Sequence, residues 1–199
     1  MSAPAIHIGH STGGGEVARY VARHQERVSK AVLVASLTPN MYRSEDNPSG
    51  QPPEWFEAIR AGVLGNRSEF YRFVPENPFY GYNVDGAKPS EAIIANWWRQ
   101  GMAGGALAHY ATVASWLEDY TEDLKKITVP VLVMHGEADQ SRPVRKFRAA
   151  CGQLAQERVA EDLSRLPPWH ANHTCGCPQP RLALVHKVLT TSLIHHLSW

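Results

Sequence analysis

Three short, nearly unbroken apolar runs punctuate the first two-thirds of the chain: Ala5-Ile6-His7-Ile8, Ala31-Val32-Leu33-Val34-Ala35 and Pro130-Val131-Leu132-Val133-Met134. Runs of this length with little polar alternation predict strands covered on both faces, hence a parallel sheet. Between the first two, Glu16–Arg23 has a helical pattern, so the start of the chain reads strand, helix, strand. The stretch 37–115 differs in texture: prolines and aromatics crowd it, and helices are expected over Glu54–Leu64, Glu91–Gly101 and Ala106–Ser115. The predicted organisation is a partial α/β core from 1–36 and 116–140, interrupted by a helical cap at 37–115, with a divergent, irregular tail at 141–199. Aromatics such as Trp55, Phe56, Phe70, Tyr71, Trp97 and Trp98 could line an apolar pocket, although ordinary burial explains most of them one by one.

The junction between the first strand and the first helix reads Gly9-His10-Ser11-Thr12-Gly13-Gly14, which contains G-x-S-x-G. A serine on a sharp strand-to-helix turn is the setting of a nucleophile elbow. Gly9 and Gly13 are expected to let the strand and helix backbones approach, and the helix N-terminus turns free N–H groups towards the serine. Ser11 is therefore the candidate nucleophile and the backbone N–H of Thr12 a candidate oxyanion donor. Asp139 follows the third strand and its terminating Gly136, at the sheet edge where sites assemble in open α/β folds. An aspartate there suits the acid of a Ser-Asp-His triad. His10 leaves the turn differently from a base, His135 closes a buried strand as a packed histidine would, and His24 suits the helix C-terminus as a dipole partner.

Composition narrows the classes. The 199 residues are 43% hydrophobic with a formal net charge of +1, which fits one domain with a real core and points to neither nucleic acid nor an anionic membrane as partner. No apolar run approaches the roughly 18 residues of a membrane span, and no signal peptide opens the chain. Three cysteines, all late, do not form a disulfide framework, so a reducing cytoplasm is the expected compartment.

The segments GHSTGGGEVARYVARH, Phe79–Asn83 (FYGYN), Trp97–Met102 (WWRQGM) and Val129–Gln140 (VPVLVMHGEADQ) together resemble the cofactor-free, non-heme chloroperoxidase and aryl-esterase (perhydrolase) branch of the α/β-hydrolases. The resemblance implies a serine ester hydrolase without metal, heme or flavin, with a small ester or carboxylic acid as substrate. With a carboxylic acid and peroxide it also implies peracid formation and halide oxidation. By match, Ser11 is the nucleophile, Asp139 the acid and the Thr12 N–H half of the oxyanion hole. Lactone or C–C bond hydrolysis on the same fold is an alternative. Family members carry on the order of a hundred residues before the elbow, including the strand loop with the second oxyanion donor. The expectation is thus a chain that begins mid-fold, with an exposed sheet edge open to self-association.

After Gln140 the resemblance stops. The tail holds all three cysteines and five of the ten histidines, and the family's Pro-His-Gly loop is missing. Back-translating Gln140–Lys187 with free codon choice and reading one base later yields text that resembles the family's C-terminal region. It includes PHGM, its histidine codon straddling Pro168 and Trp169. A single-base insertion near the Gln140 codon is the expectation, and with it a catalytically inactive remnant as the alternative function. His170 is the nearest in-frame candidate base, but in Pro-Pro-Trp-His-Ala it lacks the following glycine. His170, His173, Cys175 and Cys177 form H-x2-H-x-C-x-C, whose spacing supports no zinc site.

Overall fold

The computed structural model describes residues 3–136, 139–140 and 158–162, all within one compact unit, Met1–Pro168. Strand β1 (Ala5–His10) leads through Ser11 into α1 (Thr12–Arg23), then a 3-10 turn (Gln25–Arg27) and β2 (Val28–Val34). A long helical segment follows: α2 (Pro53–Leu64), α3 (Arg67–Glu76), α4 (Glu91–Ala103), α5 (Ala106–Thr112) and α6 (Thr121–Lys126), with 3-10 turns at Pro78–Tyr80 and Val113–Leu117. The chain then returns to the sheet as β3 (Val131–His135), and β4 (Arg158–Asp162) follows. The four strands lie in the order β1-β2-β3-β4, every neighbouring pair parallel.

The positions of the strands and of the core helices meet the expectation closely, but β1 is not covered on both faces: Gly9 alone of its residues is buried and Ile8 is 51% exposed. β2 is central, and Ala31, Val32 and Leu33 are each no more than 5% exposed, as an unbroken apolar run with both faces covered requires. One face is closed by Ala18 and Val21 of α1 and Leu124 of α6, packed with Ile127 against Val28, Leu33 and Val131. A second cluster joins Met41, Phe56 and Val113, flanked by Leu37, Trp55, Ile59 and Trp116.

Three elements depart from the sequence reading. Helix α1 begins at Thr12, not at Glu16, so the glycine run is helical despite its poor propensity. Helix α3 was not foreseen; its signal is Asn66, whose side chain accepts from the Glu69 N–H as an N-cap should. The tail at 141–199 was expected to be irregular, yet its one described piece, Arg158–Asp162, is a strand extending the parallel sheet, with Val133 in register with Ala160. Backbone hydrogen bonding to the far edge of β3 suffices for that strand, whatever its side-chain pattern.

Candidate active site

The elbow is built by backbone bonds. Ser11 has φ 53° and ψ −119°, a left-handed conformation that a non-glycine residue adopts at a cost of about 1–3 kcal/mol and that persists only where the surroundings impose it. They do so here from both sides. The Ser11 N–H donates to the Val34 carbonyl at 3.0 Å, and the Ser11 carbonyl accepts from Gly14 and Leu37 N–H groups, both at 3.1 Å. A serine before a helix ordinarily spends its hydroxyl on capping. The Ser11 side chain makes no capping bond, and α1 places Thr12 at its first position, with the positive end of the helix dipole beside the serine.

The glycines divide differently from the expectation. A Cβ on Gly9 would sit 2.7 Å from the Gly13 carbonyl carbon and from the Gly14 Cα, so the strand and the helix touch there, backbone to backbone. A Cβ on Gly14 would strike Ser36, and one on Gly15 would strike the Tyr120 ring. Gly13, by contrast, has nothing within 4 Å of the Cβ position. Close approach is therefore the task of Gly9, Gly14 and Gly15, and the expectation for Gly13 is corrected: its missing side chain faces open space.

A shallow depression beside the elbow is lined by Thr12, Leu37, Ser115, Trp116, Glu118 and Tyr120. Its rim is held by Arg19, which lies 4.6 Å over the Tyr120 ring and pairs with Glu118 at 2.8 Å and Asp123 at 3.0 Å. Trp116 is the one tryptophan of the helical segment on this surface. Trp55 packs edge-on to Phe56, and Tyr71 and Phe79 pack against Trp97, so these aromatics serve the interior of the helical segment.

Asp139 lies at the carboxyl edge of the sheet, its N–H bonded to the Gly136 carbonyl at 3.2 Å. Its Oδ2 is 3.3 Å from Nε2 of His135, which is 4% exposed at the end of β3, in keeping with the packed role expected of that histidine. Burial lowers the pKa of His10, and the Asp139 charge partly opposes this, which puts the carboxylate within electrostatic reach of the residue preceding Ser11. The sequence reading missed two partners: His135 as the group on Asp139, and Gln140, whose amide exchanges hydrogen bonds with Asn83. His24 closes α1, its N–H on the Tyr20 and Val21 carbonyls. His170 and the cluster His170, His173, Cys175 and Cys177 lie outside the described residues. Among the described residues, no group of acidic, histidine and cysteine side chains could hold a metal ion.

The family model described as serine aminopeptidase, S33, matches residues 1–161. The chain belongs to this α/β-hydrolase family. The family match runs past Gln140, where the motif resemblance ends, and takes in all of β4 but its last residue. The chain is 55% identical over 141 residues to a bifunctional esterase/perhydrolase of Acinetobacter calcoaceticus, covering 70% of this chain and 51% of that protein. It is 50% identical over 165 residues to a non-heme chloroperoxidase of Streptomyces lividans, covering 82% and 60%. Among solved structures, a bromoperoxidase from Bacillus anthracis superposes with a TM-score of 0.70 at 26% identity, covering 79% of this chain and 58% of that one. The chain spans about half the length of the curated relatives it matches. The α/β-hydrolase fold and the serine hydrolase superfamily are thereby assigned. No helix among the described residues is long and apolar enough to cross a membrane.

Proposed function

We propose that the chain carries the nucleophile half of an esterase and perhydrolase of the non-heme haloperoxidase type, acting on small carboxylic esters. The observation that carries this reading is the strained Ser11, held at φ 53° with its hydroxyl unused by the helix it precedes. Ser11 Oγ attacks the ester carbonyl and the Thr12 N–H steadies the developing oxyanion, as one of two donors. Asp139 orients the histidine that takes the Ser11 proton, with His170 as the in-frame candidate for that base. The alkoxy group leaves with the proton, and water hydrolyses the acyl-serine. When hydrogen peroxide attacks instead, the products are a peracid and free Ser11. The peracid oxidises halide to hypohalous acid and returns as the carboxylic acid. Residues 37–115 form the cap over this edge, and Leu37, Trp116 and Tyr120 offer the acyl group an apolar wall. Similarity to an esterase/perhydrolase and to non-heme chloroperoxidases, each at 50% identity or more, supports the substrate class.

A second reading is an impaired catalyst. In its favour, the Asp139 carboxylate lies 3.3 Å from the buried ring of His135 at the end of β3. Turnover of p-nitrophenyl acetate decides between them. The first reading expects hydrolysis that Ser11→Ala reduces to the solution background and that His170→Ala lowers by about three orders of magnitude or more. Hydrolysis absent from the parent chain, or undiminished in Ser11→Ala, overturns the catalytic assignment.

The edge of β1 is a further site for self-association. β1 pairs only with β2 among the described strands, and Ile8 is 51% exposed on it.

A further inference from the structure

Among the described residues, a reciprocal pair of side-chain amides ties the carboxyl edge of the sheet to the helical segment. Asn83 Nδ2 donates to Gln140 Oε1 at 3.1 Å, and Gln140 Nε2 donates back to Asn83 Oδ1 at 3.1 Å, across 57 residues of sequence. Each end rests on a fixed support. Asn83 follows the 3-10 turn Pro78–Tyr80 and Gly81, whose φ of 70° bends the chain, and Phe79 anchors that turn edge-on against Trp97 of α4 at 5.6 Å. Gln140 directly follows Asp139, whose carboxylate is 3.3 Å from the buried His135 ring. The acid is thus gripped from below by β3, and its next residue is gripped from the side by the helical segment.

We propose that Asn83 and Gln140 are positioning residues, an amide clasp through which the cap sets the placement of the Asp139 carboxylate beside the elbow. The proposal rests on the reading of Asp139 as a site residue. An amide is both donor and acceptor, so two amides face to face close a ring of two directional bonds without charge, and neither pH nor salt opens it. Both side chains are exposed, and water competes for every bond, so the clasp is weak enough to open and close. Movement of the 78–83 turn over a bound acyl group would then be transmitted to Asp139 by way of Gln140.

The test reads the carboxylate without requiring turnover. In the full 199-residue chain, NMR follows the titration of His10, assigned with His10→Gln, and the ring signals of His135. Asp139→Asn should lower the His10 midpoint, because the carboxylate charge opposes the lowering by burial. Asn83→Ala and Gln140→Ala should each move the midpoint in the same direction by a smaller amount. The double variant should move it no further than either single one, since both break one ring of bonds. The exchanged pair N83Q/Q140N, which conserves the summed length, should restore the parent titration. That restoration separates the clasp from a general loosening of the fold. A midpoint that Asp139→Asn shifts but both alanine variants leave at the parent value overturns the clasp alone. A midpoint unmoved by Asp139→Asn removes Asp139 from the elbow and overturns the site reading with it.

Discussion

The contact between β1 and α1 at Gly9 lends itself to a paired substitution in which two glycines of one motif behave oppositely. A methyl group on Gly9 would lie 2.7 Å from two backbone carbons, of Gly13 and Gly14, where no side-chain rotation can relieve it. The strand and the helix must part, and forced overpacking of this kind costs about 3 kcal/mol, the upper end of its usual range. For a domain of this size each kcal/mol moves the melting temperature by about 2–4 °C, so Gly9→Ala should melt about 6–12 °C below the parent. Gly13 has no atom within 4 Å of its Cβ position and lies within the first turn of α1. There an alanine improves helix propensity and narrows the unfolded ensemble, a gain of about 0.5–1 kcal/mol. Gly13→Ala should therefore melt about 1–4 °C above the parent. Thermal unfolding followed by far-ultraviolet circular dichroism measures both. A Gly9→Ala protein that melts within about 2 °C of the parent, or a Gly13→Ala protein that loses as much as Gly9→Ala, refutes the assignment of close approach to Gly9.

Other predictions concern charge and association. His10 has a lowered pKa, burial being the larger cause, so between its folded and unfolded values the unfolded chain binds more protons. Stability should therefore fall as the pH drops through about 6.5, and His10→Gln should flatten that part of the urea-midpoint profile. A profile as steep in His10→Gln as in the parent assigns the loss to other groups. Ile8→Lys places a charge on the β1 edge, and light scattering across a concentration series should show mass rising with concentration in the parent and not in Ile8→Lys. Equal masses for the two at every concentration would argue that the edge is not the contact. The dependence of ester turnover on Ser11 and the titration test of the amide clasp complete the set.

What could be read from the sequence is what periodicity and backbone constraint encode locally. β1, β2 and β3 each announce themselves as apolar runs, and the elbow follows from a serine between glycines at a strand end. Pro53 at the first position marks the start of α2 one residue from the expected Glu54. α3 is masked in the sequence by the crowding of Phe70, Tyr71 and Phe73 and by Pro75, a helix breaker by type that here falls in the last turn, where the helix is ending anyway. Asn66 and Glu69 held the overlooked signal. Glycine stands at 14 and 15 because Ser36 and Tyr120 leave no room for anything larger, and those neighbours are remote in sequence. The same remoteness hid the Asn83–Gln140 pair. Long-range contacts are a property of the fold, and a local pattern carries no record of them.

The backbone bonds around Ser11 bear on what the elbow is as a unit. Its N–H answers to Val34 and its carbonyl to Leu37, while between those two residues the buried Ser36 hydroxyl contacts Thr38 at 3.0 Å and fills the space beside Gly14. The serine turn and the exit of the second strand are therefore one knot tied from two separate cords. A designer who moved the six-residue motif to another scaffold would carry only half of it, and the serine would relax into an ordinary helix cap. The heritable module is the motif together with residues 34–38, and drift in either cord must be matched by the other.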